Sequence, residues 1–210
     1  MKNNLLSTQG FWGLKKRLLV MLAMAGTLVL VAGCFSFQRN ISEKKLYSLG
    51  TKIVPTVASV HAPLPTLLVK EFDMAPMYMA NSFVYRRDEF QFETDYFNEF
   101  IIPPQRMITA AVKRALFDAR LFSPAFPDKP ADHRLQGRIN RLYGDFRQPG
   151  HPLAVMEISL ALDATDEKTF SKETAIKEST PQALVGGWNR LLDEIIQEFV
   201  NSLDRNNSGS

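Results

Sequence analysis

The stretch SFVYRRDEFQFETDY, residues 82–96, carries the clearest strand pattern in the sequence. From residue 89 onward aromatic and polar residues alternate, so one face of an extended chain would hold Phe90, Phe92 and Tyr96. The dipeptide at 87–88 separates this segment from the strand before it and predicts a tight hairpin turn. An antiparallel sheet with one solvated face fits such a pattern.

This region is unusually rich in aromatic residues. The set comprises Phe83, Tyr85, Phe90, Phe92, Tyr96, Phe97 and Phe100. We interpret it as the core face of a sheet, because aromatic side chains are most often buried. The alternative is that part of the set lines a groove that binds an acyl chain or a partner.

Two amphipathic helices follow from apolar residues at spacings of three and four. The first begins at Pro103–Pro104 and places an apolar stripe from Met107 to Ala119. Its opposite side is basic, with Arg106, Lys113, Arg114 and Arg120. We interpret these cations as a solvated face, and the alternative is a surface that meets anionic head groups. The second helix is predicted over 182–203, with the glycine pair at 186–187 breaking or beginning it.

The remaining strands complete the predicted fold. They are expected at 45–49, 66–72, 133–146, 153–164 and 168–178, the last as an edge strand. Within 133–146, Leu135, Ile139 and Tyr143 are expected to share a face. The order β-β-β-β-α-β-β-β-α predicts an α+β fold, in which two helices pack on one antiparallel or mixed sheet.

The sequence holds few residues suited to catalysis. Its three histidines, His61, His133 and His151, are far apart and show no metal-ligand spacing, and Cys34 is its one cysteine. No G-x-S-x-G or phosphate-loop motif occurs. We therefore expect no metal site, no cofactor and no enzymatic activity.

The N-terminus has the order of a signal peptide. A basic cluster at 15–17 precedes an apolar run at 18–31 and the small residues Ala32–Gly33. That run is shorter than the roughly 20 residues of a spanning helix, although an uncleaved membrane anchor is the alternative. Of the 25 basic residues, four lie in residues 1–33, which hold no acid, so 21 remain against 22 acidic ones. A nearly neutral mature chain gives no reason to expect nucleic acid as a partner.

The segment Val31-Ala32-Gly33-Cys34 resembles the bacterial lipobox. The resemblance implies cleavage before Cys34, diacylglycerol on its sulfur and an acyl chain, such as palmitate, on the new amine. Phe35 stands where an Asp would resemble an inner-membrane retention signal. The expected location is therefore the periplasmic face of the outer membrane of a Gram-negative cell. The expected parts are a signal peptide (1–33), a lipidated tether (34–44), one domain (45–204) and a disordered tail (205–210).

The order of motifs after the lipobox resembles the ABC-type transport auxiliary lipoproteins, the paraquat-inducible protein C-like group. The segments that carry the resemblance are Tyr47-Ser48-Leu49, Leu67-Leu68-Val69, Val84-Tyr85-Arg86, the strand GRINRL at 137–142 and the C-terminal amphipathic helix. The resemblance implies a non-enzymatic accessory lipoprotein of an MCE-type ABC system that moves lipids between the two membranes. Its implied partner is an MCE-domain periplasmic protein, and members of the family can self-associate, which makes a homo-oligomer a further expectation. The alternative is a periplasmic lipoprotein that activates a cell-wall synthase or helps outer-membrane assembly.

Overall fold

The computed structural model describes residues 17, 19–21, 43–53, 55, 63–126 and 128–207. The chain divides into two compact units, Met1–Ser42 and Glu43–Ser210. All of the strands and helices discussed below belong to the second unit. Among the residues that the structure describes, no helix is both long and apolar enough to cross a membrane.

Within the described residues, the second unit is built on one mixed sheet of nine strands. The strands are β1 Lys45–Tyr47, β2 Thr66–Val69, β3 Asp73–Met74, β4 Ser82–Arg86, β5 Phe92–Phe100, β6 Ser123–Pro124, β7 His133–Asp145, β8 Leu153–Leu162 and β9 Thr165–Ala175. The helices are α1 Pro104–Asp118 and α2 Pro181–Asn207, with a short 3-10 turn at Pro76–Tyr78. This architecture confirms the predicted α+β fold with a mixed sheet.

The long strand β7 organises the sheet. Along one edge it pairs antiparallel with β8, which in turn pairs with β9. Along the other edge it takes β2, β3 and β4 in succession, all parallel to it. The hairpin of β4 and β5 extends the sheet beyond β4, and β1 closes that side by pairing parallel with β5. Strands β1 and β6 therefore lie on the same side of β7: β6 adjoins the start of β7 through β2, and β1 adjoins its end through β4 and β5.

The core lies between the sheet and the helices. Trp188 of α2 is fully buried, and its indole N–H donates to the backbone oxygen of Tyr143 at 3.3 Å. The rings of Phe83 and Phe100 lie 5.1 and 5.5 Å from the Trp188 ring, centroid to centroid. The predicted apolar stripe of α1 is also buried, from Met107 to Ala119. These contacts join the hairpin to the C-terminal helix through one apolar cluster.

A β-bulge in β7 overturns one predicted face. Ile139 pairs with Ile158, but the next pair is Arg141 with Glu157, so Asn140 is an extra residue in the strand. An extra residue reverses the alternation beyond it. Tyr143 therefore lies on the opposite face from Leu135 and Ile139, where its ring stacks on Tyr78. The prediction that all three share a face was wrong.

The glycine pair also differs from its prediction. Gly186 and Gly187 lie inside α2 and neither break nor begin it. A Cβ on Gly187 would come within 2.6 Å of the Ala154 Cβ, so the helix approaches β8 at a distance that only glycine permits. The helix also continues to Asn207, past the predicted end at 203, since no glycine or proline occurs before residue 209. The predicted tail at 205–210 was therefore wrong for residues 205–207.

Candidate functional site

The structure divides the aromatic set into two groups. Phe83, Tyr85 and Phe100 are buried and belong to the core. The exposed group is Phe90 (87% exposed), Phe92 (39%), Tyr96 (71%) and Phe97 (42%). The interpretation of the whole set as a core face was therefore wrong for the exposed group.

The loop between β4 and β5 explains part of this difference. It covers residues 87–91 instead of a two-residue turn, with the Arg87 N–H donating to the Gln91 oxygen at 2.9 Å. The Asp88 carboxylate accepts the N–H groups of Phe90 and Gln91 at 2.8 and 2.7 Å. Residue 90 thus belongs to the loop, and its ring extends into solvent.

A second irregularity, in the middle of β5, exposes Tyr96 and Phe97. Ser82 pairs with Glu99 and Val84 pairs with Thr94, so the single residue Phe83 opposes residues 95–98. We call residues 95–98 the aromatic bulge. The Tyr96 and Phe97 rings contact edge to face, with centroids 5.1 Å apart. The bulge therefore presents two aromatic rings, in edge-to-face contact, outside the regular pairing of β4 and β5.

Asp95 holds the bulge in shape. One carboxylate oxygen accepts the backbone N–H groups of Phe97 and Asn98 at 2.7 and 2.9 Å. The other accepts the Tyr85 hydroxyl at 2.5 Å and the Asn98 side-chain amide at 2.7 Å. The Tyr47 hydroxyl of β1 donates to the Asn98 side-chain oxygen at 3.1 Å. The bulge is thus fixed from both neighbouring strands.

These hydrogen bonds affect the protonation states of Asp95 and Tyr85. Burial acts to raise the pKa of Asp95, but the hydrogen bonds from Tyr85, Asn98 and the Phe97 N–H outweigh it and lower that pKa. Burial, followed by the bond to the Asp95 carboxylate, raises the pKa of Tyr85 well above its ordinary value. At neutral pH, Asp95 is ionised and Tyr85 protonated, which suits a structural bond better than proton exchange.

The first described residues of the domain reach the same place. Lys44 forms an ion pair with Glu99, with 2.6 Å between Nζ and Oε1, and its ammonium lies 5.0 Å from the centre of the Tyr96 ring. The backbone oxygen of Tyr47 accepts the N–H of Ile101 at 2.8 Å. The chain therefore enters the domain beside the aromatic bulge.

A cleft of about 470 Å³ lies on the other side of Asp95. Its walls come from the hairpin, the turn at 148–152 and the start of α2. The Arg87 guanidinium lies 5.3 Å from the Tyr85 ring and 5.4 Å from the Phe146 ring, and its Nε is 2.6 Å from Glu93 Oε2. The cleft is lined by both aromatic and polar groups, and its cation, Arg87, is already paired with Glu93.

The basic side of α1 has local partners. Arg106 lies 3.8 Å from Glu71 and Arg114 lies 3.6 Å from Asp118, in both cases Nε to carboxylate oxygen. The Lys113 ammonium lies 5.9 Å from the centre of the Phe117 ring. Because all three cations are exposed, these contacts are those of a solvated helix face.

The remaining predicted sites are placed as follows. Cys34 and His61 lie outside the described residues. His133 is the first residue of β7, and its Nδ1 lies 2.6 Å from Oδ2 of Asp163, which is in the turn that joins β8 to β9. Among the described residues there is no group of three His, Cys, Asp or Glu side chains that could hold a metal ion.

Sequence reasoning missed the role of Asp95, which it placed on the polar face of the predicted strand, and it did not single out Asn98. The signal that could have revealed them is the tetrapeptide DYFN at 95–98. Aspartate often accepts backbone N–H groups two or three residues ahead and so competes with strand pairing. Two aromatic residues inside such a turn are displaced from the sheet.

Comparisons with known proteins define the fold. No family model matches the chain. No curated protein sequence matches it either. The crystal structure of protein XCC0632 from Xanthomonas campestris, assigned to the family DUF330, matches with a TM-score of 0.59. It is 16% identical, and the match covers 75% of this chain and 91% of that one. This chain therefore has the fold of that protein.

Two further crystal structures are more distant. An uncharacterised protein matches with a TM-score of 0.49 and 14% identity, over 76% of this chain and 99% of that one. A Caulobacter crescentus chain named "putative lipoprotein" matches with a TM-score of 0.37 and 12% identity, over 66% of this chain and 91% of that one.

Proposed function

We propose that this chain is a lipid-anchored accessory protein of an MCE-type ABC system that transports lipids between membranes. Cys34 carries the lipid, and the outer membrane holds the domain at its periplasmic face. The protein acts by binding an MCE-domain partner, and ATP hydrolysis belongs to a separate subunit.

One observation supports the proposal most strongly. The segments on which the family resemblance rests lie together in a single sheet. Residues 67–69 form most of β2, residues 84–86 end β4, and both strands pair with β7, which contains 137–142. Segments spread over the sequence are thus parts of one structural unit, as expected if the resemblance reflects a common architecture.

The position of Cys34 supports the anchored location. The apolar run before it is too short to span a bilayer, and β1 begins only eleven residues after it, at Lys45. Each buried methylene of an acyl chain contributes about 0.8 kcal/mol, so the two or three chains of a bacterial lipoprotein hold a domain at the membrane stably.

The geometry around Asp95 favours a binding role over a catalytic one. The carboxylate already accepts four hydrogen bonds, and its neighbour Tyr85 has a raised pKa. Neither group titrates near neutral pH, where a general acid or base would need to. The exposed rings of Tyr96 and Phe97 are suited to making contacts.

Co-purification of the mature chain with its partner tests the function. The lipidated protein, extracted in mild detergent, is expected to elute as one complex with an MCE-domain protein of the same genome. A second lipoprotein from that genome with an unrelated domain serves as the control. Failure to bind any MCE protein of that genome would contradict the proposal, as would a stable complex with a cell-wall synthase instead.

A further inference from the structure

The aromatic bulge lies at one end of an exposed apolar edge. The large apolar side chains there are Leu46 (58% exposed), Tyr96 (71%), Phe97 (42%), Ile101 (57%) and Ile102 (43%). They belong to β1, to the bulge and to the two residues directly after β5, all at the side of the sheet that β1 closes. Clustered exposed apolar residues usually mark a surface that contacts something else.

The bulge is built to expose its rings. Without the extra residues, β5 would pair regularly along β4, and successive side chains would point to alternate faces of the sheet. Instead the Asp95 carboxylate and the Tyr47 hydroxyl fix residues 95–98 outside the regular pairing between β4 and β5. Preorganised aromatic rings lose little conformational freedom when they bind.

The length of chain before the domain indicates what covers this edge. Lys44, in contact with the Tyr96 ring, is ten residues after Cys34. An extended chain covers at most about 3.3–3.6 Å per residue, so Lys44 lies within about 36 Å of a lipidated Cys34. A tether this short holds whatever surrounds its exit point near the bilayer at high effective concentration.

We propose that the aromatic bulge faces the bilayer that holds Cys34, and that Tyr96 and Phe97 insert into its lipid–water interface. This inference rests on the lipid anchor of the proposed function. Aromatic rings concentrate at the membrane interface, where the apolar ring lies against acyl chains and a hydroxyl reaches water.

The charges around the bulge identify the head groups that it meets. Glu99 is paired with Lys44 and Glu93 with Arg87, while the Asp95 carboxylate points inward to its hydrogen-bond donors. These three carboxylates are therefore locally compensated. The edge suits zwitterionic phospholipid, and contact with it does not require anionic lipid.

The place where the tether joins the domain also distinguishes Tyr96 from Phe126, another exposed aromatic residue. Phe126 is 62% exposed, but it follows β6, which adjoins the start of β7 through β2, whereas the β4–β5 hairpin that carries β1 adjoins the end of β7. If the anchor orients the domain, Phe126 stays in water while Tyr96 enters the interface. Phe126 is therefore the matched control.

Fluorescence quenching tests the inference. The mature chain contains a single tryptophan, Trp188, which is fully buried and gives a constant background. The lipidated variants Tyr96→Trp and Phe126→Trp are reconstituted into phosphatidylcholine vesicles, with and without bromine on the acyl chains. Phe97→Trp is a second reporter on the bulge, for use if Tyr96→Trp does not fold.

The inference predicts blue-shifted emission from Tyr96→Trp that brominated lipid largely quenches, with Phe126→Trp left unquenched. Equal quenching of both variants, or quenching of neither, would overturn it. A blue shift without quenching would also overturn it, because the ring would then be covered by protein, such as a second copy of the chain.

Flotation of the same vesicles separates this inference from the anchor. A protein that does not float with the vesicles refutes the lipid anchor, and the inference with it. A protein that floats while Tyr96→Trp stays unquenched refutes only the orientation of the domain.

Discussion

Replacing Asp95 with alanine removes the group that holds the aromatic bulge. The substitution leaves the Tyr85 hydroxyl, in a residue only 9% exposed, without its acceptor, which costs about 2 kcal/mol. The N–H groups of Phe97 and Asn98 and the Asn98 amide can turn to water, so their loss adds about 1 kcal/mol in total. We expect Asp95→Ala to lower the free energy of unfolding by about 3 kcal/mol, or Tm by about 6–12 °C for a domain of this size.

Urea unfolding followed by far-UV circular dichroism measures this effect. Asp88→Ala is the matched control, since Asp88 also accepts two backbone N–H groups but lies in an exposed loop. It should cost less than about 1 kcal/mol. A double-mutant cycle with Tyr85→Phe should give a coupling above about 0.5 kcal/mol. If Asp95→Ala unfolds within about 0.5 kcal/mol of the unchanged chain, the proposed role of Asp95 is wrong.

Two further predictions concern packing and pH. Gly187→Ala should destabilise the domain by about 1–2 kcal/mol in thermal unfolding, since overpacking against Ala154 exceeds the gain in helix propensity. Gly186→Ala, with nothing within 4 Å of its Cβ, should stabilise by about 0.5–1 kcal/mol, and the opposite order would contradict the packing of α2 on β8. A carboxylate whose pKa is lower in the folded than in the unfolded state stabilises the fold at pH values above its unfolded pKa of about 4. That contribution is lost as the pH falls toward the folded pKa. The Asp95→Asn variant should therefore lose less stability than the unchanged chain as the pH falls from about 5 to about 2, a range that begins above the unfolded pKa of about 4. Equal losses in the two proteins would contradict the lowered pKa of Asp95.

Periodicity was sufficient to predict the elements that local sequence determines. Helix α1 begins at the predicted prolines because proline fits the first turn, and its stripe of residues spaced three and four apart is buried. The sequence of strand β8 alternates from Met156 to Leu162, and the observed range of the strand, Leu153–Leu162, lies within the predicted one.

Features that depend on pairing between strands could not be predicted in the same way. Strands β3 and β6 are two residues each and exist through their neighbours β7 and β2. The extra residue Asn140 moves Tyr143 to the face opposite Leu135, whereas the sequence pattern alone places both residues on one face. The role of Gly187 is visible only once β8 lies against the helix.

The candidate site was predicted in part. The aromatic richness of residues 83–100 was evident, but its division into core and exposed rings depends on two hydrogen bonds from other strands. Asp95 accepts the Tyr85 hydroxyl of β4, and Asn98 accepts the Tyr47 hydroxyl of β1. The hairpin loop was predicted too short because Arg87–Asp88 resembles a turn, whereas Asp88 stabilises a longer loop ending at Gln91.

The claim on which the account most depends is the lipid on Cys34, since location, tether and orientation of the aromatic bulge all follow from it. Intact-mass and peptide mass spectrometry of the membrane-extracted protein tests it directly. We expect a mature chain that begins at Cys34 and carries a diacylglyceryl group on sulfur and an acyl chain on the amine. A chain that retains residues 1–33, or one with an unmodified Cys34, would contradict the account.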